Sequence, residues 1–115
     1  MVDPTPTADL PLSEELLQEI KERIVCSLAP EKVILFGSYA EKRATAESDV
    51  DLLVVTGRPL NHKERWARVR GLFRDVPLPV QVITISEQEF EETRDVIGGI
   101  AYPATKYGTV IYEKP

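Results

Sequence analysis

The sequence predicts an α/β (α+β) domain in which a small mixed β-sheet is flanked by helices. Three observations support this class. Short runs rich in Val, Ile and Leu alternate with segments whose apolar residues recur at helical spacing. Gly, Pro and Asn residues separate these segments, as is typical where strands and helices end. A chain of 115 residues is also long enough to fold as one domain around one core.

Composition limits the classes of function. The net charge is −5, whereas domains that bind nucleic acid through its phosphates are usually basic, so we expect no direct DNA binding. Cys26 is the only cysteine, which excludes an internal disulfide framework and a cysteine zinc site. No apolar run approaches the roughly 18 residues that a membrane span needs. We therefore expect a soluble, cytoplasmic protein without membrane contact.

The first part of the chain predicts a leader and a helix. Residues 1–12 contain three prolines among small and polar residues, which favours a disordered leader and leaves residues 13–115 as a single domain. Ser13 is suited to cap a helix that ends before Pro30. Its apolar positions recur at helical spacing, at Leu16, Leu17, Ile20, Ile24 and Leu28. We expect Cys26, on this helix, to be an inert and partly buried thiol.

Two short apolar runs follow the helix. Residues 33–36 predict a buried strand that stops at Gly37, and residues 38–42 predict a brief helix. Residues 49–55 predict a second strand, because a Thr-Gly-Arg-Pro turn follows the apolar run.

The next helix is predicted to begin at Asn61, which has the spacing of a capping box with Glu64. Trp66, Val69 and Phe73 form an apolar stripe on it, which we expect to pack in the core. The same segment carries a group of cations, Lys63, Arg65, Arg68, Arg70 and Arg74. This group is either a solvated helix face or a patch that contacts phosphates or a partner.

The last third of the chain predicts one more strand–helix unit and a weaker end. Residues 79–85 predict a third strand, and Ser86 with Glu89 predicts a capping box for an acidic helix. Glycines and a proline interrupt the helical pattern beyond this point, so we expect a broken helix as far as Lys106. A last short strand is predicted at residues 110–112.

Gly37 and Ser38 form the first candidate site. A glycine at the end of a strand lets the backbone turn tightly and approach a ligand without a Cβ atom in the way. Ser38 adds a hydroxyl, and the amides that follow it favour phosphate if a helix begins there. A Gly-Ser pair after a strand is by itself usually only a turn.

Asp49 and Asp51 form the second candidate site. Residues two apart on a strand point to the same face, so the two carboxylates repel each other unless a cation or protons intervene. Hard oxygen ligands at this spacing suit Mg²⁺, which also shares phosphate ligands. The alternative is a pair of ordinary surface carboxylates, but their place after a strand and a Gly-Ser pair favours a metal site.

These residues together resemble a known family. Gly37-Ser38-Tyr39-Ala40, ten residues between Ser38 and Asp49, and then Asp49-Val50-Asp51 resemble the minimal nucleotidyltransferase (MNT) domains of the DNA polymerase beta superfamily. The resemblance implies that the Gly37-Ser38 turn holds a nucleoside triphosphate, usually ATP, and that Asp49 and Asp51 hold magnesium and act in catalysis. The reaction it implies is transfer of AMP to a hydroxyl group with release of pyrophosphate.

The sequence departs from the family pattern in two places. Glu41-Lys42 stands where the family commonly has Arg-Gly. Gln81 stands on the third strand where the family has a third carboxylate, and an amide adds no negative charge and cannot act as a base. The resemblance therefore leaves an alternative, a catalytically weakened nucleotide-binding domain that serves as antitoxin and partner of a HEPN-domain protein. A domain of this size also commonly pairs with itself, so a homodimer stays open.

Overall fold

The computed structural model describes residues 12–45 and 47–115. The elements of this part are, in chain order, α1 (Glu14–Leu28), β1 (Lys32–Phe36), β2 (Val50–Thr56), α2 (His62–Val69), β3 (Val80–Ser86), α3 (Glu87–Thr93), α4 (Ala101–Tyr107) and β4 (Thr109–Glu113). The predicted leader lies outside the described residues except for Leu12, which packs against the core. The α+β class with helices around one sheet is confirmed.

The four strands form one mixed sheet in the order β3-β2-β1-β4. The central strand β1 pairs antiparallel with both β2 and β4, whereas β2 and β3 pair parallel. A parallel pair needs a crossover connection, and α2 lies in the connection between β2 and β3. This crossover brings the start of β3 back beside the start of β2, where Val50 N–H donates to Pro79 O at 2.9 Å.

Helix α1 begins and ends as local chemistry requires. The Ser13 hydroxyl accepts a hydrogen bond from Leu16 N–H at 3.0 Å, which confirms the predicted N-cap. Ala29 ends the helix in the left-handed conformation, with φ of 47°, and its N–H donates to Val25 O. Ile20 and Ile24 are completely buried, so this helix is fixed by its apolar stripe.

The core has two layers, one on each face of the sheet. On the first, called here the α1 face, Leu35 and Leu52 are register partners and pack with Ile20 and Ile24. On the second, called here the α3 face, Ile34 and Leu53 are partners. They pack with Phe90 of α3 and with Ala101 and Ala104 of α4. Successive strand residues point to opposite faces, so the register fixes the face of every strand residue.

Two burial expectations were wrong. Trp66 is 59% exposed, although Val69 and Phe73 pack partly buried against the core as expected. Helix α2 has eight residues and none of them is completely buried, so the core covers only part of its apolar stripe. Trp66 lies outside the covered part and stacks with Arg70. Cys26 is exposed rather than partly buried, because two residues after the buried Ile24 an α-helix has turned about 200°.

The remaining helices follow the sequence pattern more closely. Both residues of the Asn61–Glu64 capping box make their reciprocal hydrogen bonds. The Ser86 hydroxyl caps α3 and accepts a hydrogen bond from Glu89 N–H at 3.1 Å. The reciprocal bond from the Glu89 side chain, which a complete capping box needs, is not present among the described residues. The expected broken helix is two helices, α3 and α4, separated by residues 94–100. Within the described residues, no helix is both long enough and apolar enough to cross a membrane.

Candidate functional site

Three strands place one residue each in a row at the end of the α3 face. Asp51 on β2 is the register partner of Phe36 on β1 and of Gln81 on β3. Partners in a sheet point to the same face, and the next row of this face is Ile34, Leu53 and Ile83. Asp51 and Phe36 are half-buried, and Gln81 is exposed. The row therefore opens to solvent at one end of the sheet.

The glycine turn lies directly against the Asp51 carboxylate. Gly37 follows β1 and has φ of +78°. A Cβ atom at position 37 would lie 3.2 Å from Asp51 Cγ and 3.4 Å from Asp51 Cβ, and closer still to Oδ2. The predicted neighbours in the site, the turn and the second aspartate, are thus in contact in the structure.

The segment after Gly37 is a single closed turn rather than the predicted brief helix. Glu41 N–H donates to Gly37 O at 3.0 Å, and Arg43 N–H donates to Ser38 O at 2.8 Å. Lys42 closes the turn with φ of 59°, which is the left-handed residue of a Schellman-type ending. A left-handed conformation favours glycine, so Lys42 is strained at this position.

The start of this turn presents free backbone donors. Among the hydrogen bonds within residues 12–45 and 47–115, none uses the N–H group of Ser38, Tyr39 or Ala40 as a donor. Unpaired N–H groups at the start of a helical turn carry partial positive charge and favour an anion. They belong to the residues that follow Gly37, next to the Asp51 carboxylate.

The two aspartates interact electrostatically. Burial raises the pKa of Asp51 above its ordinary value, and the negative charge of Asp49 raises it further. Asp49 is exposed and precedes β2 by one residue, so it lies at the open edge of the site. A carboxylate pair whose charges repel is a place where a hard divalent cation lowers the free energy.

A third carboxylate does not complete this pair. The described residues contain no group of three or more His, Cys, Asp or Glu side chains that could hold a metal ion. Asp75, which precedes β3, is held by Arg23 through contacts of 2.6 and 3.0 Å. Glu87 begins α3 at the opposite end of β3. Gln81, the register partner of Asp51, has an amide side chain, so it adds no carboxylate to the pair.

Tyr39 anchors the turn to the core on the α1 face, a role that the sequence did not predict. Its ring packs against the core of the α1 face, and its hydroxyl is buried without a hydrogen-bond partner among the described residues. Burial raises the pKa of this hydroxyl. Its place directly after Gly37-Ser38 was the only signal available, and it does not reveal burial.

The fold is similar to that of solved toxin–antitoxin structures. One match is to a chain of a mutant MntA–HpeT toxin–antitoxin complex, with a TM-score of 0.64 and 15% identity, covering 84% of this chain and 73% of that one. A chain of a toxin–antitoxin structure with AMP-PNP gives a TM-score of 0.60 and 17% identity, with coverage of 84% and 73%.

A third structure is that of the tri-AMPylated HEPN toxin of Shewanella oneidensis in complex with its MNT antitoxin. Its matching chain has a TM-score of 0.58 and 16% identity, with coverage of 84% and 69%. Identities this low show a shared fold. No curated protein matches the sequence.

The family comparison covers most of the domain. Residues 13–102 match the family described as nucleotidyltransferase domain. The match begins at the cap of α1, includes the glycine turn, both aspartates and Gln81, and ends in α4. The chain therefore belongs to the nucleotidyltransferase domain family.

Proposed function

We propose that this chain is a magnesium-dependent nucleotidyltransferase that transfers AMP from ATP to a hydroxyl acceptor. The observation that carries the proposal is the contact between Asp51 and Gly37, with Asp49 close enough to raise the pKa of Asp51. An anion site and a cation site thereby lie side by side, as a metal–triphosphate complex requires.

Each residue has a definite task in this proposal. The free N–H groups after Gly37 and the Ser38 hydroxyl hold the triphosphate, and Gly37 admits it by lacking a Cβ atom. Asp49 and Asp51 hold Mg²⁺. When bound, the metal supplies positive charge that stabilises the transferred and leaving phosphate oxygens. The acceptor hydroxyl loses its proton to water, its oxygen forms a bond to the α-phosphorus, the bond from this phosphorus to the bridging oxygen breaks, and pyrophosphate departs.

A second candidate function follows from Gln81. This side chain is the exposed register partner of Asp51, so a third carboxylate is missing from the place where it would take the proton of the acceptor hydroxyl. The domain would then bind Mg-ATP but transfer AMP slowly, and act as antitoxin to a HEPN-domain protein. The solved complexes with similar folds, one of which contains an AMPylated HEPN toxin, support a partner of this class. The two functions are compatible, because the partner can be the acceptor.

Calorimetric titration with ATP tests the binding step. We expect saturable binding in the presence of Mg²⁺ and at least tenfold weaker binding for Asp49→Asn. The exposed Asp95→Asn is the matched control, since it removes the same charge away from the site. Binding that is equal with and without Mg²⁺, or equal in both variants, would contradict the proposed site.

Pyrophosphate release tests turnover, with Mg-ATP and a HEPN-domain protein as acceptor. We expect slow release by the natural chain and a gain of about tenfold or more for Gln81→Asp, because general bases contribute roughly 10²–10⁴ in rate. Gln88→Asp, on the exposed side of α3, is the control substitution. Release only by Gln81→Asp would favour the binding-only function, and release by neither chain would refute the transferase.

A further inference from the structure

Helix α2 presents an exposed face on which cations surround one aromatic ring. Lys63, Trp66 and Arg70 are spaced for one side of the helix and are all exposed, as is Arg74 just beyond its end. We call these four residues the basic α2 face. Trp66 is 59% exposed, so its ring is not explained by the core.

Two members of this face, Trp66 and Arg70, are in direct contact. The Arg70 guanidinium stacks over the Trp66 ring, with 4.6 Å between Cζ and the ring centroid. The Arg74 guanidinium lies over Gly71, where a Cβ atom would be 3.1 Å from Nη2. The exposed ring of Trp66 is therefore in contact with the Arg70 cation.

The cations of this face form no ion pairs within the described part of the chain. Its ion pairs involve Arg23, Lys32, Arg43, Arg58, Arg94 and Lys114, and none involves Lys63, Arg70 or Arg74. The whole chain carries a net charge of −5. The three cations, which form no ion pair among the described residues, are thus a local reversal of the overall charge.

We propose that the basic α2 face docks a partner protein through an acidic patch, with an apolar side chain of the partner packed against the exposed ring of Trp66. Trp and Arg are the residue types that dominate binding energy at protein interfaces. The proposal deepens the partner assignment of the proposed function and rests on it to that extent. The surface lies on the α1 face, whereas Asp51 is on the α3 face, so docking leaves the nucleotide site open.

Charge decides between this occupant and two others. A nucleic acid would be repelled by the net charge of −5 over its whole length, whereas an acidic protein patch contacts only the local cations. A symmetric dimer through this face would place Arg70 of one copy against the basic face of the other, and like charges across an interface are unfavourable.

Selection from a phage-displayed library of random 16-residue peptides tests the proposal on the full chain. Trp66 is the only tryptophan, so its fluorescence reports binding of the synthesised peptides directly at this face. We expect peptides rich in Asp and Glu that contain an apolar residue. Their Kd should rise at least tenfold with Arg70→Glu and stay unchanged with Lys21→Glu, an equal charge reversal on α1.

Several results would overturn the docking proposal. They are peptides without acidic enrichment, an unchanged Kd in Arg70→Glu, saturable binding of a 20-nucleotide RNA that this variant abolishes, or a dimer that it dissociates. Calorimetry with Mg-ATP on the same variant separates this proposal from the proposed function. Normal ATP binding with lost peptide binding supports the docking surface, and failure of ATP binding in the natural chain concerns only the nucleotide site.

Discussion

The Asp51 carboxylate lies directly against the backbone of Gly37, where a Cβ atom would be 3.2 Å from Asp51 Cγ and nearer to Oδ2. The backbone at Gly37 has φ of +78°, which also disfavours a side chain. Two separate constraints, conformation and space, therefore require glycine at this point. Alanine substitutions at Gly37 and Gly98 separate the two constraints.

Gly37→Ala is expected to lower the free energy of unfolding by about 2–3 kcal/mol, since left-handed strain and displacement of the Asp51 carboxylate add. It should also weaken Mg-ATP binding at least tenfold. Gly98→Ala is the control, because Gly98 has φ of +104° but no atom within 4 Å of its added Cβ. This control should lose about 1–2 kcal/mol and bind Mg-ATP normally, as measured by urea unfolding and calorimetry. Equal ATP binding by both variants would argue against the contact.

Asp51→Asn is expected to raise the stability of the metal-free protein at pH 7. Burial, and then the charge of Asp49, raises the folded-state pKa of Asp51. The folded state therefore holds this proton more tightly than the unfolded chain does. The free energy of unfolding therefore falls as the pH rises from the ordinary carboxyl pKa to the raised pKa of folded Asp51. It stays lower at every pH above the raised pKa.

Urea unfolding without Mg²⁺ tests whether Asp51→Asn raises the free energy of unfolding. The advantage of Asp51→Asn should be present at pH 7 and absent at pH 3, where the carboxyl is protonated in both states. Asp49→Asn should gain less, because burial is the larger cause of the Asp51 shift. A variant less stable than the natural chain at pH 7 would refute the argument, and added Mg-ATP should stabilise only the natural chain.

Lys42→Gly is expected to stabilise the domain by about 0.5–1 kcal/mol. Lys42 has φ of 59°, a left-handed conformation that costs a residue with a side chain roughly 1–2 kcal/mol. Glycine avoids this strain, but it loses more conformational entropy on folding, which offsets part of the gain. Ala29→Gly at the end of α1, where φ is 47°, is the matched comparison away from the site. Thermal unfolding should show a similar gain for both, and a loss in either would contradict the strain argument.

Asp75→Asn is expected to lower stability at neutral pH, with a loss that disappears in acid. Hydrogen bonds from Arg23 are the main cause that lowers the pKa of Asp75 from 3.8 to about 2. A carboxyl with a lowered folded-state pKa stabilises the protein above its ordinary pKa, and this contribution is lost as pH falls from about 4 to about 2.

The measurement for Asp75→Asn is urea unfolding at pH 7, 4 and 2. The difference from the natural chain should be largest at pH 7 and close to zero at pH 2. Asp95→Asn serves as control, because Asp95 forms no ion pair among the described residues. A difference that is independent of pH would mean that the Arg23 pair does not carry the effect.

Much of the sheet and of the site follows from short-range pattern. Apolar runs predicted the strand positions to within a few residues. The Ser13 and Asn61 caps were readable because their side-chain chemistry is local. These features depend on residues that are near one another in the chain.

The failures have a common physical cause. Helical periodicity identified the stripe of Trp66, Val69 and Phe73, but it does not tell how much of an eight-residue helix the core can cover. The burial of Cys26 was predicted wrongly for the same reason, since the exposure of a helix residue depends on which side of the helix faces the sheet. The left-handed conformation of Lys42 was not predicted, because glycine is the residue that indicates a positive φ in a sequence.

The pairing pattern of the sheet also bears on the order in which the site assembles. Asp51 pairs with Phe36 on one side and with Gln81, about twice as far away in the sequence, on the other. Each doubling of the length of a closed loop adds about 0.6 kcal/mol to the entropic cost of closing it. Pairing β1 with β2, which joins the turn to the aspartates, therefore costs less conformational entropy than pairing β2 with β3. A ligand held by the β1–β2 pair should accordingly slow amide hydrogen exchange there first, while β3, with a single neighbouring strand, opens more readily.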